Sequence, residues 1–471
     1  MSAPLVWIVL PVFIAAILYL FRRWHRYTSS AGILAAVLLA WLAWLAPIGE
    51  AINIGTFSFE LSDTLYILGR RFVLEAADRP ILILIYLGVA FWFGGSLVAR
   101  TDRLFVPLGL SIAALLTAAL AVEPFLYAAL LIEMAALVSV PLLSSPGNQV
   151  GRGVVRFITF QSLGMPFILY TGWMLAGVEA APGDSQLILH AEILMGMGFA
   201  FFLAVFPFHT WIPMLAEEAH PYTAAFVFFL LTLAISFFGL NFIDRYAWLR
   251  SSAELYFLLR LTGALMVFVG GIWSAFQRHL GRMMGYAVLV EIGLSLLAVG
   301  AGLNSDGKLA LLGIFFALIL PRGLSLGVWS LALALIKNKI GELRFRSVQG
   351  VGRQMPVASA SLVLAQFSLA GFPLLAGFPA RMALWLGLAQ GYPLESFAAL
   401  LGCIGLLAGG LRALAVLVMG PNEDQWQISE NWAQRIFLAL GGLALFILGL
   451  FPQWFLPGLA HMASAYTHLS P

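Results

Sequence analysis

Residues 206–221 read FPFHTWIPMLAEEAHP, so three prolines, two histidines and two glutamates stand between two long apolar runs. Residues 371–379, GFPLLAGFP, form a second interruption of the same kind. Irregular backbone at membrane depth is tolerated only where protein or a water-filled cavity satisfies its polar groups. The two stretches predict two discontinuous helices beside an ion path, although proline kinks in two packed helices are the simpler alternative. The residues assigned to the breaks are Pro207, Pro213, Pro221, Gly371, Pro373, Gly377 and Pro379.

The composition places the chain in a lipid bilayer. Of 471 residues, 62% are hydrophobic and 10% are charged, and the mean hydropathy is +0.96. A soluble domain carries roughly 25% charged residues. A helix needs about 20 apolar residues to cross the hydrocarbon core, and runs of that length recur along the chain. We predict an all-α, polytopic membrane protein of about fourteen transmembrane helices.

The predicted organisation is a single membrane domain, residues 1–471, without soluble modules. Residues 1–104 form the N-terminal helices, and 421–471 a C-terminal helix. Between them we expect two inverted five-helix repeats: 105–276, with a broken helix near 207–221, and 277–420, with a broken helix near 371–379. A pair of interrupted segments in corresponding halves is typical of transporters built from inverted repeats.

Basic residues cluster after alternate apolar runs, within 22–26, 100–103, 152–156, 278–282 and 337–353. The positive-inside rule then predicts both termini outside, in a bacterial plasma membrane or an equivalent energy-transducing inner membrane. Arg245, Arg250 and Arg260 lie on the other side in this scheme and oppose it. The sequence has no basic helix with interleaved aromatic residues, which is the pattern that would indicate a nucleic-acid partner.

Glu133 is the most conspicuous charged residue inside an apolar run. It lies near the middle of 124–143, with no compensating charge within nine residues. A charge at that depth costs about 2.5 to 3.5 kcal/mol on insertion scales. Desolvation favours the neutral carboxyl group, which suits proton exchange near neutral pH. We predict a proton-path residue; the alternative is a neutral glutamate bonded to a backbone carbonyl.

Three further charged residues interrupt the second half of the chain. Glu291 lies inside an apolar run, Arg322 follows Pro321, and Arg381 follows the second break. Alternating carboxylates and guanidiniums can couple a proton relay electrostatically. Because guanidinium does not deprotonate in proteins, a static set of ion pairs is the alternative.

His209 and His220 flank the first break, and Glu217 and Glu218 lie between them. Histidine titrates near neutral pH, which suits a proton path, but a lone membrane histidine is more often a satisfied interhelical donor, so both interpretations stay open. The two glutamates could mark a cytoplasmic proton entrance, although solvation at a helix end is the simpler interpretation. No metal-ligand spacing is present, and we predict no metal site.

At these residues the sequence resembles the antiporter-like L, M and N type subunits of respiratory complex I, which are similar to Mrp-type cation/proton antiporters. The segment 207–213, PFHTWIP, is similar to the family's Pro-Phe-His-x-Trp-Leu-Pro signature. Residues 283–293, MMGYAVLVEIG, resemble the segment after its Lys-Arg pair, and 369–381, LAGFPLLAGFPAR, its second broken helix. Glu133 lies where the family has its glutamate. The likeness covers roughly residues 75–420.

Departures from the family pattern concern the groups that would carry protons. The family's buried lysine after the first break is missing, because the first lysine in this chain is Lys308. Gly281 stands at the lysine of the Lys-Arg pair, and Arg381 at the terminal lysine or glutamate. A relay needs groups that change charge, so a member that keeps the scaffold while its partners pump is an alternative.

The resemblance implies a proton-translocating subunit of a complex I-like NADH:quinone oxidoreductase. Flavin, iron–sulfur clusters and quinone would then belong to partner membrane and redox subunits, and this chain would have no redox active site. Two alternatives remain: a non-conducting scaffold or coupling subunit of a hydrogenase-like or inorganic-carbon-uptake complex, and a stand-alone cation/proton antiporter.

Overall fold

The computed structural model describes residues 2–469 apart from 55–56, 68, 145–149, 181–184, 303–307, 421–427 and 467. In this part of the chain ten helices are long and apolar enough to cross a membrane, and four more are apolar but shorter. The prediction of an all-α, polytopic architecture with about fourteen spans is confirmed. The helices are α1 (Leu10–Leu20, after a π-helical turn Leu5–Val9), α2 (His25–Leu45), α3 (Arg79–Ala99), α4 (Phe105–Ala121), α5 (Ala128–Leu143), α6 (Arg152–Ala180), α7 (Ser185–Phe202), α8 (Trp211–Glu218), α9 (Pro221–Arg245), α10 (Ala247–Arg250), α11 (Ala253–Phe276), α12 (Leu280–Gly300), α13 (Lys308–Ala317), α14 (Ile319–Ile340), α15 (Pro356–Ala370), α16 (Phe378–Gly391), α17 (Pro393–Val418), α18 (Trp432–Leu450) and α19 (Leu456–His461).

Three helices form the centre of the bundle. In α9, in α12 and in the span made by α13 and α14, 83% of the most apolar window is buried, against 17% in α18. In a bilayer a helix that is apolar on all sides can face either protein or lipid, so it is packing and not composition that places these helices at the centre. Charged residues on α12 and α14 are therefore enclosed by protein.

The helices run back and forth between two faces of the bundle. On one, the basic face, Lys337 donates to the Ala219 carbonyl oxygen at 3.0 Å, and Leu280 to the Leu343 carbonyl oxygen at 3.0 Å. On the opposite face, Ala3 donates to the Ser62 carbonyl oxygen at 2.7 Å, and Asp244 accepts the His468 backbone N–H at 2.9 Å. Both ends of the described chain thus lie on the opposite face.

The arginines that opposed the predicted topology lie on the opposite face and have partners there. Arg245 lies over the Phe125 ring, and the Arg250 guanidinium donates to the Asp244 carbonyl oxygen. Arg260 donates to the Gly300 carbonyl oxygen at 2.9 Å and lies 3.8 Å from the Tyr392 ring centroid. These contacts stabilise positive charge on a face that the positive-inside rule disfavours.

Short strands on the opposite face were not predicted. The hairpin β1 (Ala51–Ile54) and β2 (Phe57–Glu60) is antiparallel, and β3 (Thr64–Ile67), β4 (Arg70–Val73) and β5 (Val122–Glu123) form an antiparallel sheet. Thr64 faces Val73, and Phe72 faces Val122. Strands of two to four residues are too short for alternation to identify.

The first break begins earlier than predicted. Helix α7 ends at Phe202 and α8 begins at Trp211, with a 3₁₀ turn at Phe208–Thr210. Pro207 lies in the break, but Pro213 lies in the first turn of α8 and Pro221 starts α9. These two prolines therefore border interruptions rather than lie in the break, since proline is tolerated in a first turn, where its N–H has no helical partner.

The second break agrees with the sequence. Helix α15 ends at Ala370, Gly371 has φ +77°, and α16 starts at Phe378 with Pro379 in its first turn. Glycine reaches this left-handed conformation at little cost. A third interruption at Leu318, between α13 and α14, was not predicted.

Candidate functional site: a buried charge cluster at the second break

Glu291, Arg322 and Arg381, which we call the Glu291 cluster, meet inside the bundle. Their exposed fractions are 1%, 3% and 0%. Arg322 Nε lies 3.3 Å from Glu291 Oε2, and Arg381 Nη2 pairs with Glu291 Oε1. Each oxygen of one carboxylate therefore has its own guanidinium partner.

Local backbone geometry places each member of the cluster. Glu291 lies midway along α12, Arg322 lies one turn after the interruption at Leu318, and Arg381 lies in the first turn of α16. A Cβ atom at Gly377 would collide with the Ser368 carbonyl oxygen and with the Arg381 guanidinium. Glycine at this position leaves room for the arginine to reach α12.

Hydrogen bonds connect the cluster to the backbone around it. Arg322 Nη2 donates to the Glu291 carbonyl oxygen at 2.8 Å and also to Ser295 Oγ. Arg381 Nη1 donates to the Gly377 carbonyl oxygen at 3.0 Å, and Gly377 N–H donates to Ser368 Oγ at 3.2 Å. The second break is thus held by the same network that binds the carboxylate.

The cluster carries an excess positive charge. Two guanidiniums that do not deprotonate face one carboxylate, so the ionised form of Glu291 gives a net charge of +1. Removing charges from water is costly, and this is offset only when geometry is good and remaining donors are satisfied. Within the cluster only Glu291 can change its charge.

Glu133 does not join this cluster. Its side chain is half-buried on α5, beside Leu130, Met134 and Leu137, which are 41%, 44% and 49% exposed. It makes no ion pair or hydrogen bond with any residue that the structure describes. Its role in a proton path stays a prediction.

The two histidines of the first break also lie apart from the cluster. His209 stacks on Phe206, with ring centroids 5.3 Å apart. His220 lies on the basic face between α8 and α9. Burial, and to a smaller extent the positive charge of Lys337, lowers its pKa to about 4. This shift opposes titration of His220 near neutral pH, and its role in a proton path stays a prediction.

Glu217 and Glu218 lie on the basic face, each with a partner. Glu217 pairs with Arg282 at the start of α12, and Glu218 accepts the Gly153 N–H at 2.7 Å at the start of α6. Both contacts join α8 to a neighbouring helix. A proton entrance there stays a prediction.

The sequence analysis did not identify the serines that surround the Glu291 cluster. Ser295 lies four residues after Glu291 on α12, and its hydroxyl also donates to the Glu291 carbonyl oxygen at 3.0 Å. Ser325 donates to Ser368 at 2.9 Å and joins α14 to α15. The i, i+4 spacing from Glu291 could have indicated Ser295. Over the described ranges, no group of three or more His, Cys, Asp or Glu side chains could hold a metal ion.

A family comparison supports the resemblance that the sequence predicted. Residues 173–405 match the family described as NADH:quinone oxidoreductase/Mrp antiporter, transmembrane. The antiporter-like resemblance is confirmed. The matched segment includes α8, the first break and all three residues of the Glu291 cluster.

Among antiporter-like relatives, NADH-quinone oxidoreductase subunit N 2 of Herpetosiphon aurantiacus is 27% identical over 286 residues, which are 58% of this chain and 52% of that protein. The chain spans about half the length of this curated relative. A chain of respiratory complex I from Thermus thermophilus has a TM-score of 0.75 at 24% identity, with 99% of both chains covered. A chain of the Mrp complex from Dietzia has a TM-score of 0.76 at 16% identity, covering 100% of this chain and 98% of its own. At these identities the structures establish the fold.

Proposed function

We propose that this chain is the proton-translocating, antiporter-like membrane subunit of a complex I-like NADH:quinone oxidoreductase. The observation that supports the proposal best is the Glu291 cluster, fully buried at a broken helix within the family segment. The relative from Herpetosiphon is named as a subunit of such an enzyme. Flavin, iron–sulfur and quinone chemistry would belong to partner subunits, and the basic face would lie in the cytoplasm with both termini outside.

In this proposal Glu291 is the proton-responsive member of the cluster. A proton on Glu291 would neutralise the carboxylate and raise the cluster charge from +1 to +2, so that Arg381 loses its counter-ion. Because Arg381 lies in the first turn after the second break, its release would change the conformation of that break. Protonation and movement of the broken helix would thus be coupled.

The test uses the assembled complex in proteoliposomes, with protons translocated per electron as the measured quantity. Glu291→Gln should lower this ratio while NADH oxidation continues, because the amide cannot ionise. Glu342→Gln, an exposed glutamate of the basic face, is the control. Glu133→Gln measures separately whether α5 carries protons. A fully assembled Glu291→Gln complex that pumps at the wild-type ratio would contradict the proposal.

A non-conducting coupling subunit is the second candidate, and one observation favours it. Both carboxylate oxygens of Glu291 are already paired with permanent cations, as expected for a static brace. The same experiment separates the two functions, since a brace predicts loss of assembly without loss of pumping ratio. Purification from native membranes separates the stand-alone antiporter, which would come without redox subunits.

A further inference from the structure

Two adjoining cavities lie between the Glu291 cluster and the opposite face. The outer cavity has a volume of about 410 Å³ and the inner cleft of about 440 Å³. Leu240, Ile243 and Val299 line both. The two cavities therefore adjoin along these three residues.

The inner cleft has the length and character of an acyl chain site. It lies between α7 and α11, and its walls are almost entirely apolar. Along α7 it extends from Leu189 to Leu203 at the first break, which at 1.5 Å per residue is about 21 Å. One leaflet of the hydrocarbon core is about 15 Å deep. Ile193 and Leu258 on its two sides are each 53% exposed, so the cleft lies at the lipid-facing surface.

The polar end of the paired cavities carries both signs of charge. Arg250, Ser251, Tyr256 and His468 line the outer cavity, while Glu192 and Glu254 line the cleft near the same face. Guanidinium has five N–H donors suited to phosphate oxygens, and the Asp244 carbonyl oxygen accepts from one nitrogen of Arg250. The carboxylates can accept hydrogen bonds from a primary ammonium group.

We propose that these cavities bind one phospholipid of the phosphatidylethanolamine class. Its phosphate lies at Arg250, its ammonium group at Glu254 and Glu192, and one acyl chain fills the cleft. A lipid with a net negative headgroup has a phosphate for Arg250 but no cation to pair with the two glutamates. The mixed charge of the site therefore favours the zwitterionic amine lipid.

The bound chain would contact the wall of the Glu291 cluster. Ser295 lines the cleft, and its hydroxyl accepts a hydrogen bond from Arg322. An acyl chain at this position excludes water from the Ser295 side of the cluster. The lipid would thus act as part of the low-dielectric wall around Glu291.

Gly196 offers a way to fill the cleft without disturbing the helix. It lines the cleft on α7, and a Cβ atom there would meet no heavy atom within 4 Å. Gly94 on α3 has the same open environment outside the cleft. Gly196→Leu and Gly94→Leu therefore make the same chemical change. The first should exclude the lipid from the cleft, and the second is the control that should leave the cleft open.

The measurement is native mass spectrometry of the complex after delipidation and incubation with equal amounts of phosphatidylethanolamine and phosphatidylglycerol. Wild type and Gly94→Leu should retain one phosphatidylethanolamine per chain. Gly196→Leu should bind it about tenfold more weakly, or about 1.4 kcal/mol. Equal retention by both glycine variants, or no retained lipid in wild type, would overturn the proposal.

Headgroup specificity is tested with Glu254→Gln. Removing this carboxylate should abolish the preference for phosphatidylethanolamine over phosphatidylglycerol while lipid remains bound. Arg250→Gln should weaken retention of both lipids, because both have a phosphate. A wild-type preference for phosphatidylglycerol would show that the amine site is wrong. These readouts measure binding and are independent of proton translocation.

Discussion

Helix α12 contacts both broken helices, but by two different kinds of interaction. Near its start, Gly281 and Gly285 pack against the backbone of α8, and a Cβ atom at Gly285 would lie 2.7 Å from Pro213 Cα. Ten residues after Gly281, Glu291 binds Arg381 of the second broken helix through charge. The first joint depends mainly on close packing, with the partly exposed Glu217–Arg282 pair at its edge, and the second depends on one carboxylate. Only the second joint places its carboxylate wholly inside the bundle, where Glu291 is 1% exposed.

Arg381→Ala should have the largest effect on stability, because it removes half of the second joint. Loss of one partner of a buried ion pair typically costs about 3 to 5 kcal/mol. His209→Ala at the first break should cost about 1 kcal/mol or less, since it removes a ring stacked on Phe206. Thermal unfolding of the two purified variants gives the comparison. Equal losses of stability in the two variants would contradict the view that different interactions hold the two breaks.

Gly285→Ala should have the next largest effect, because it disrupts the packing joint. A methyl group forced against the α8 backbone should cost about 1 to 3 kcal/mol. Gly94→Ala, where the added Cβ meets open space, is the matched control. The fraction of Gly285→Ala that still assembles should translocate protons at the wild-type ratio. A variant as stable as Gly94→Ala would show that α8 and α12 separate easily.

The ionic joint was easier to predict from sequence than the packing joint. Charged residues inside apolar runs are rare and costly, so Glu291, Arg322 and Arg381 could each be identified without a structure. Their meeting at one carboxylate depends on how α12, α14 and α16 pack, and no local pattern encodes that. Gly285 could not be singled out among 46 glycines, because its role depends on a helix about seventy residues away.

Glu133 shows the limit of reasoning from hydropathy. A helix whose residues are apolar on every side gives no periodic signal that separates its buried side from its lipid-facing side. The sequence therefore placed Glu133 correctly along α5 but could not show that it lies beside exposed Leu130 and Met134. The same limitation applies to the position of the first break, since Pro213 and Pro221 occupy first turns of helices.

The smallest expected effect concerns His279, which caps the start of α12 next to the packing joint. Its Nδ1 accepts the Gly281 and Arg282 backbone N–H groups at 3.1 and 3.4 Å. Burial lowers the pKa of His279 to about 4; Glu217 opposes this, while Arg282, Lys337 and Arg344 add to it. His279→Ala should cost about 1 kcal/mol through loss of the cap.

Protonation of His279 should weaken the cap. Because its pKa is lower in the folded than in the unfolded chain, the stabilisation is complete above about pH 6.5 and is lost as the pH falls toward 4. His279→Asn keeps an acceptor that does not titrate in this range, so its thermal midpoint should fall less than that of wild type between pH 7 and pH 5. The difference between the two midpoints isolates this residue from the other titrating groups of the basic face. Parallel pH profiles for wild type and His279→Asn would show that Nδ1 does not hold the cap. In that case close packing at Gly281 and Gly285 would be sufficient to fix the start of α12.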